Sequence, residues 1–358
     1  MSEKLSYELI EKLPKSELHC HLDGSLRVST IIDLAKDQDV KLPYEDEDKL
    51  RDYLTVNDNN PSLLEYLKGF EITTSVLQSY DSLERTAYEL AIDSSKENIR
   101  YLEVRFSPIL HVNRGLKLTE VTDAVLKGLK RAENEVNIKT GLIICAMRSQ
   151  PPRNSIRLAE LAVAFKNRGV VGFDLAGDEA NYPAKTHSEA FELILKNNVN
   201  CTLHAGEAYG PISIHQAIHD CGAHRIGHGV RLREDGDLLN YVNDHRIPLE
   251  LCITSNVQTK SVKSLKEHPI LFYYDYGLRI TINTDNRLMS NTNTSKELYL
   301  AAKYFDFDLT DIGNIIINGF KSAFINYADK KQILGNALKE LRELGYDSDY
   351  LKYSSQVC

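Results

Sequence analysis

Several features that would assign a chain to a class at once are missing here. The six cysteines, Cys20, Cys145, Cys201, Cys221, Cys252 and Cys358, include no C-x-x-C pair. Such scattering speaks against a disulfide framework and for reduced intracellular thiols. No stretch approaches the roughly 20 apolar residues that span a bilayer. The segment from Met1 to Pro14 is charged and amphipathic, without the apolar centre of a secretory signal. These absences predict a cytoplasmic protein with no membrane partner. No Gly/Ser or Pro-rich linker, charge block or short-period repeat divides the chain, so residues 1–358 read as one domain. Basic excess is absent too. The net charge is -8, which gives no support for a nucleic-acid partner. What remains is ordinary globular composition, 42% hydrophobic and 26% charged over 358 residues.

Short β-branched or apolar runs alternate with helical stretches. The candidate strands are Glu17–Leu22, Arg100–Phe106, Thr140–Met147, Val170–Leu175, Asn200–His204, Arg225–Gly227, Pro248–Cys252 and Arg279–Asn283. Helical patterns lie between them, among them Thr119–Glu135, Ser155–Asn167, His187–Lys196 and Ile212–Asp220. Strands alternating with helices imply a parallel sheet covered on its outside. Eight of them in a chain of this length predict an α/β fold of the (β/α)8 TIM-barrel type. An open doubly wound sheet is the competing architecture, but no Gly-rich phosphate loop follows the first strand. The gap from Leu26 to Ile99 predicts extra helices after strand 1, and the tail from Ser295 reads as mainly helical.

In such a barrel, function sits where strands end and loops begin. The first strand reads Glu17-Leu18-His19-Cys20-His21-Leu22-Asp23-Gly24. Residues two apart share a face of a strand, about 6.6 Å apart along it, so His19 and His21 point the same way. A lone His-x-His is also what packing or surface histidines produce. Further strands end in His204-Ala205-Gly206-Glu207, Gly227-His228-Gly229 and Asn283-Thr284-Asp285-Asn286. Four strand ends agreeing is harder to attribute to packing. Three histidines and an aspartate form a nitrogen/oxygen donor set suited to a borderline metal such as zinc. A rival pair, His215 and His219, lies four apart on a predicted helix. It lacks the Glu of H-E-x-x-H, because Gln216 follows His215, and a solvated helix face accounts for it.

These motifs resemble the adenosine deaminase family of metal-dependent amidohydrolases. The matching segments are Glu17–Gly24, Tyr101–Pro108, Asp174–Glu179, His204–Glu207, Ile226–Gly229 and Thr281–Asp285. They run in the family's order along nearly the whole chain. The resemblance implies one zinc ion held by His19, His21, His204 and Asp285, with a water completing the set. It implies hydrolytic deamination of adenosine and 2′-deoxyadenosine to inosine and 2′-deoxyinosine, with release of ammonia. In that reading His228 orients the attacking hydroxide, takes its proton and stabilises charge, and Asp285 assists. Glu207 gives a proton to the purine N1, which requires a neutral carboxyl, a form that burial beneath the base favours. His21 also faces the substrate. Asp23 accepts from the ribose 5′ hydroxyl, and the backbone N–H of Gly177 meets N3. The stretch from Ser62 to Phe70 resembles the family's apolar lid helix, with Leu63, Tyr66, Leu67 and Phe70 on one face. Any core-packing helix shows the same stripe. Tyr101–Arg105 and Asp174 are expected to brace the site.

Two departures stand out. Many family members have two consecutive aspartates at the last strand, but here the second is Asn286. An amide NH2 donates to N7 without having to carry an extra proton. Arg287 adds positive charge nearby, which either serves a phosphorylated substrate or pairs with a local carboxylate. Ile253 stands where a proline is common, with only a local backbone effect expected. The alternatives are a deaminase of adenine, AMP or another aminated purine, or a non-catalytic relative. The intact ligand set, Glu207 and His228 speak against the last. The P-C-x-x-C signature of polynucleotide deaminases is absent, so a small-molecule purine nucleoside is the expected partner.

Overall fold

The computed structural model describes residues 5–56 and 63–347, with side chains for all of these except 63–68. Eight parallel strands follow one another around a barrel: β1 Lys15–His21, β2 Ile99–Phe106, β3 Lys139–Met147, β4 Val170–Ala176, β5 Asn200–Ala205, β6 Arg225–His228, β7 Leu249–Leu251 and β8 Ile280–Ile282. The order is sequential, each strand pairing with the next. Closure falls on residues of the predicted site. Asp285 N–H donates to His19 O at 2.8 Å, and His21 N–H donates to Asp285 O at 2.8 Å.

The predicted (β/α)8 barrel is therefore the observed fold. Four helices fill the long connection after β1: Val28–Asp37, Glu47–Leu54, Leu63–Val76 and Tyr80–Lys96. Helices Thr294–Tyr304, Leu309–Ser322 and Tyr327–Glu343 form the tail. One boundary differs instructively. The helix expected from Ser155 starts at Pro152, because a proline at the first helical position already has the required φ and no N–H to leave unpaired.

Alternation along β2 shows how the site is supported. Leu102, Val104 and Phe106 are fully buried, and so are Glu103 and Arg105 on the other face. The charged pair meets partners from neighbouring strands inside the barrel. Arg105 bonds Asp174 Oδ2 at 3.0 Å and Glu250 Oε2 at 2.8 Å. Arg225 bonds Glu250 Oε1 and Glu103 Oε2, both at 2.5 Å, and lies over the Phe324 ring. Buried ion pairs add little net stability, but removing one member leaves a bare buried charge. This lattice of two cations and three anions forms the floor beneath the barrel's carboxyl end.

Candidate active site

The strand ends bring the predicted groups together. His19 and His21 leave β1 on one face, His204 comes from β5, and Asp285 follows β8. His19 Nε2 lies 3.3 Å and His21 Nε2 3.4 Å from Asp285 Oδ1, and the Nε2 atoms of His21 and His204 are 3.0 Å apart. Ligand atoms of His19, His204, His228 and Asp285 all lie within 4.8 Å of one another. Gly227 makes room for this crowding, since a Cβ there would sit 3.1 Å from His19 Cε1 and 3.1 Å from His204 Cα. His228 and Asp285 have φ of 63° and 62°, a left-handed conformation uncommon outside glycine. Such strain persists where surrounding structure enforces it, and it aims both side chains inward.

The outer face of each imidazole explains its orientation. His19 Nδ1–H donates to Glu250 Oε2 at 2.9 Å, and His204 Nδ1–H donates to Asp174 at 3.1 Å. Both rings therefore turn a bare Nε2 toward the centre. Burial, with nearby Arg105, pushes the His19 imidazole down to about 4, and burial holds His21 well below its usual value. Although burial opposes their charge, His204 and Arg105 hold the Asp174 carboxyl well below the carboxylate range, and Arg105 and Arg225 do so for Glu250. The Asp285 carboxyl is likewise held down, against burial, chiefly by the His19 ring beside it. Its Oδ2 accepts from Ser255 Oγ at 2.6 Å.

This arrangement fits a cation. His19 Nε2 is fully buried with no hydrogen-bond partner, and the Nε2 atoms of His21 and His204 converge at 3.0 Å beside the Asp285 carboxylate. Carboxylates behind the ring nitrogens fix the tautomer that a metal requires. The His215–His219 pair behaves differently. Its rings are 4.4 Å apart but exposed on helix Pro211–His219, outside the one cluster of three or more ligating groups among the described residues.

Beside the cluster, Glu207 Oε2 lies 3.5 Å from His228 Nε2, and Glu207 Oε1 accepts from Thr259 Oγ1 at 3.0 Å. The Glu207 loop is clamped from behind. The carboxylate of Glu179 accepts the backbone N–H groups of Gly206, Glu207, Ala208 and Tyr209 at 2.5, 3.0, 2.6 and 3.1 Å. Arg148 adds bonds to His204 O and Tyr182 O, both at 2.7 Å.

Comparison with known proteins agrees with this geometry. The sequence profile of the adenosine deaminase family matches residues 14–340. The chain belongs to the adenosine deaminase family. It is 42% identical over 356 residues to an adenosine deaminase of Mycobacterium ulcerans (strain Agy99), covering 95% of this chain and 98% of that one. It is 41% identical over 350 residues to a probable adenosine deaminase of Dictyostelium discoideum, covering 97% of this chain but only 45% of the relative. Among solved structures, the Arabidopsis N6-mAMP deaminase matches with a TM-score of 0.83 at 28% identity, over 93% of this chain and 99% of that one. The protein is thus a hydrolase of the adenosine deaminase family with a His/Asp cluster able to hold a metal.

The remaining family positions fall around the same mouth. Asp23 is buried with Oδ1 unpartnered, and burial pushes its carboxyl up to about 6. Gly177 follows β4 with φ of 103°, a conformation that side chains rarely adopt. Asn286 is buried against Gly24, where a Cβ would come within 1.9 Å of Asn286 Oδ1. Arg287 pairs with Glu97, so the local-carboxylate alternative is the observed one. Ile253 opens helix Ile253–Gln258. Phe70 packs with Val56 and Met289, while the side chains of Leu63, Tyr66 and Leu67 lie outside the described residues. No helix among the described residues is long and apolar enough to cross a membrane.

Residue-by-residue reading of the sequence passed over Glu250, Ser255, Asn256 and Thr259. Glu250 carried a usable signal, a charge inside the apolar run Leu249–Cys252, where an isolated carboxylate must have buried partners. The others are small polar loop residues with no distinguishing pattern.

Proposed function

We propose that this protein hydrolyses the 6-amino group of adenosine and 2′-deoxyadenosine, giving inosine or 2′-deoxyinosine and ammonia. The convergence of His19, His21, His204 and Asp285 beside Glu207 and His228 carries this reading. These four side chains would hold one zinc ion. When bound, such a cation supplies Lewis acidity that brings the pKa of a water toward about 7. The chain's own groups account for the proton traffic. Glu207 donates to N1 as water oxygen attacks C6, so that charge does not build up in the ring. Asp285 accepts the proton the water releases. Collapse returns the C6 hydroxyl proton to Glu207, and Asp285 gives its proton to the departing amine, which leaves as ammonia. Both carboxyls thereby regain their starting state.

Asp23 would accept from the 5′ hydroxyl, and the Gly177 N–H would meet N3. The Asn286 amide would donate to N7; unchanged kcat/KM in Asn286→Ala would rule that contact out. The helix bearing Leu63, Tyr66, Leu67 and Phe70 would cover the sugar side, and His21 would border the base. A carboxylate at position 23 repels a 5′ phosphate, and Arg287 is engaged with Glu97, so a nucleoside fits better than a nucleotide. The likeness to N6-mAMP deaminase keeps an aminated purine nucleotide as the second reading. We place the whole chain, as one domain, in the cytoplasm, in keeping with five buried free cysteines. The test is direct. Zinc-loaded protein should convert adenosine to inosine with one ammonia each, faster than adenine or AMP, and chelation should stop it. Folded, metal-loaded protein that leaves adenosine intact would reject the reading.

A further inference from the structure

His268 and Asn256 play no part in the chemistry above, yet both are buried directly behind His228. The hydrogen bonds joining them run in one direction. Ile270 N–H donates to His268 Nδ1 at 3.2 Å, so that nitrogen carries no proton and His268 Nε2 must. His268 Nε2–H then donates to Asn256 Oδ1 at 3.2 Å. The backbone N–H of Cys252 donates to the same oxygen at 3.3 Å, which independently fixes which end of the amide is oxygen. Asn256 Nδ2 is thereby turned to His228 Nδ1 at 3.0 Å, and it can only donate. Two backbone N–H groups, one on His268 and one on the Asn256 oxygen, thus set the proton positions that lead to His228. Burial pushes His268 down to about 3, so it stays neutral and the polarity of the series holds at physiological pH.

We propose that Asn256, held by His268 and Cys252, locks His228 as the tautomer with its proton on Nε2, so that His228 serves the site as a hydrogen-bond donor and not as the proton acceptor. Its inward nitrogen faces Glu207 Oε2 at 3.5 Å and the ligand cluster. An Nε2 bearing hydrogen has no lone pair for a metal or for a water proton. This separates His228 from His19 and His204, whose outer nitrogens face carboxylates and whose inner ones are bare. The same residue type is set as ligand or as donor by what stands behind it, a carboxylate or an amide NH2. His228 then orients the oxygen that attacks C6 and stabilises charge on it, while the released proton goes to Asp285. Asn256 is a positioning residue in this scheme, and the proposal rests on the deaminase reading only for what His228 donates to.

Replacing Asn256 by aspartate tests it, because a carboxylate accepts from Cys252, from His268 and from a proton on His228 Nδ1. Asn256→Asp should therefore reverse the His228 tautomer. Tautomer reversal behind a catalytic histidine costs up to about 10⁴ in kcat in the serine protease template. Here kcat should fall at least about 100-fold with KM little changed and zinc content intact. Asn256→Asp activity equal to or above that of the parent would overturn the proposal, since it would mean that His228 works through an Nε2 lone pair. A second measurement needs neither substrate nor a variant at position 256. Long-range ¹H–¹⁵N spectra of zinc-loaded, ¹⁵N-histidine protein, with His228 assigned by loss of its signals in His228→Gln, should show Nε2 protonated and Nδ1 bare. The opposite pattern would overturn the proposal even if Asn256→Asp failed to fold. Absence of adenosine deamination with the tautomer as stated would instead sink the function and leave the relay standing.

Discussion

Two groups of histidines in this chain have nearly the same spacing and opposite surroundings. His215 and His219 have ring centroids 4.4 Å apart, closer than the 5.5 Å between His19 and His21. Yet the first pair is exposed, while in the second His19 is held by Glu250 of the buried charged floor, which sets the nitrogen it turns inward. Ring proximity alone therefore does not make a metal centre. A site needs each imidazole desolvated, turned and held in one tautomer before the ion arrives. If that difference is what matters, the most damaging substitution should be behind the ligands and not among the surface histidines.

Glu250 is that position. It accepts from His19 at 2.9 Å, Arg105 at 2.8 Å, Arg225 at 2.5 Å and Thr202 Oγ1 at 2.9 Å, all within the barrel. Glu250→Ala leaves two guanidinium groups short of a counter-charge and releases the His19 ring. The expected loss is about 3–5 kcal/mol of folding stability, from denaturant titration. Metal affinity should fall about 10–100-fold, from chelator competition. Metal retention equal to that of the parent chain would show that the floor does not set the ligands.

Glu207→Gln sharpens the comparison from the substrate side. It removes a proton donor that touches neither His19 nor Glu250, so rate and metal binding should separate. Turnover should fall about 10²–10⁴-fold, while metal content and melting temperature stay where they were. A matching loss of metal would place Glu207 among the ligands instead.

The barrel and its catalytic mouth were legible in the sequence because their signals are local. All eight strands were found within a residue or two, since each is a short apolar run bounded by turn residues, and the inward histidines follow from a period of two. The floor was harder to read. Glu103, Arg105, Asp174, Arg225 and Glu250 come from β2, β4, β6 and β7, and only barrel closure brings them together. Nothing in the run from Leu249 to Cys252 says that its glutamate meets an arginine from β2. The Arg287 alternative was open for the same reason, because its partner Glu97 lies 190 residues earlier. The hydrogen-bond direction through His268 and Asn256 depends on backbone donors at the starts of two separate helices, which no spacing rule encodes.

Glu179 separates positioning from chemistry by a smaller margin. Its carboxylate gathers four consecutive N–H groups around Glu207 but touches no predicted ligand side chain. Glu179→Gln keeps one acceptor oxygen and turns an NH2 toward a donor. A displacement of about 1 Å at a reacting group costs up to about 100-fold, so a fall in kcat of about 10- to 100-fold is expected. If the effect travels through Glu207, the same substitution in a Glu207→Gln background should cost almost nothing more. Full additivity of the two losses would mean that Glu179 acts elsewhere.

The smallest effect belongs to the surface pair. Replacing both His215 and His219 by alanine removes two rings from the exposed face of helix Pro211–His219, where His219 also meets Tyr241 with centroids 4.9 Å apart. Neither ring contacts the floor or the mouth. Stability should move by no more than about 0.5 kcal/mol, and alanine's better helix propensity works against even that loss. Adenosine turnover and tightly bound zinc should both be unchanged. Retention on an immobilised nickel matrix should weaken, because two exposed imidazoles four residues apart can share a weakly held ion. Loss of the tightly bound zinc in the double variant would mean that exposed spacing alone can build a site, and the distinction drawn between the two groups would fail.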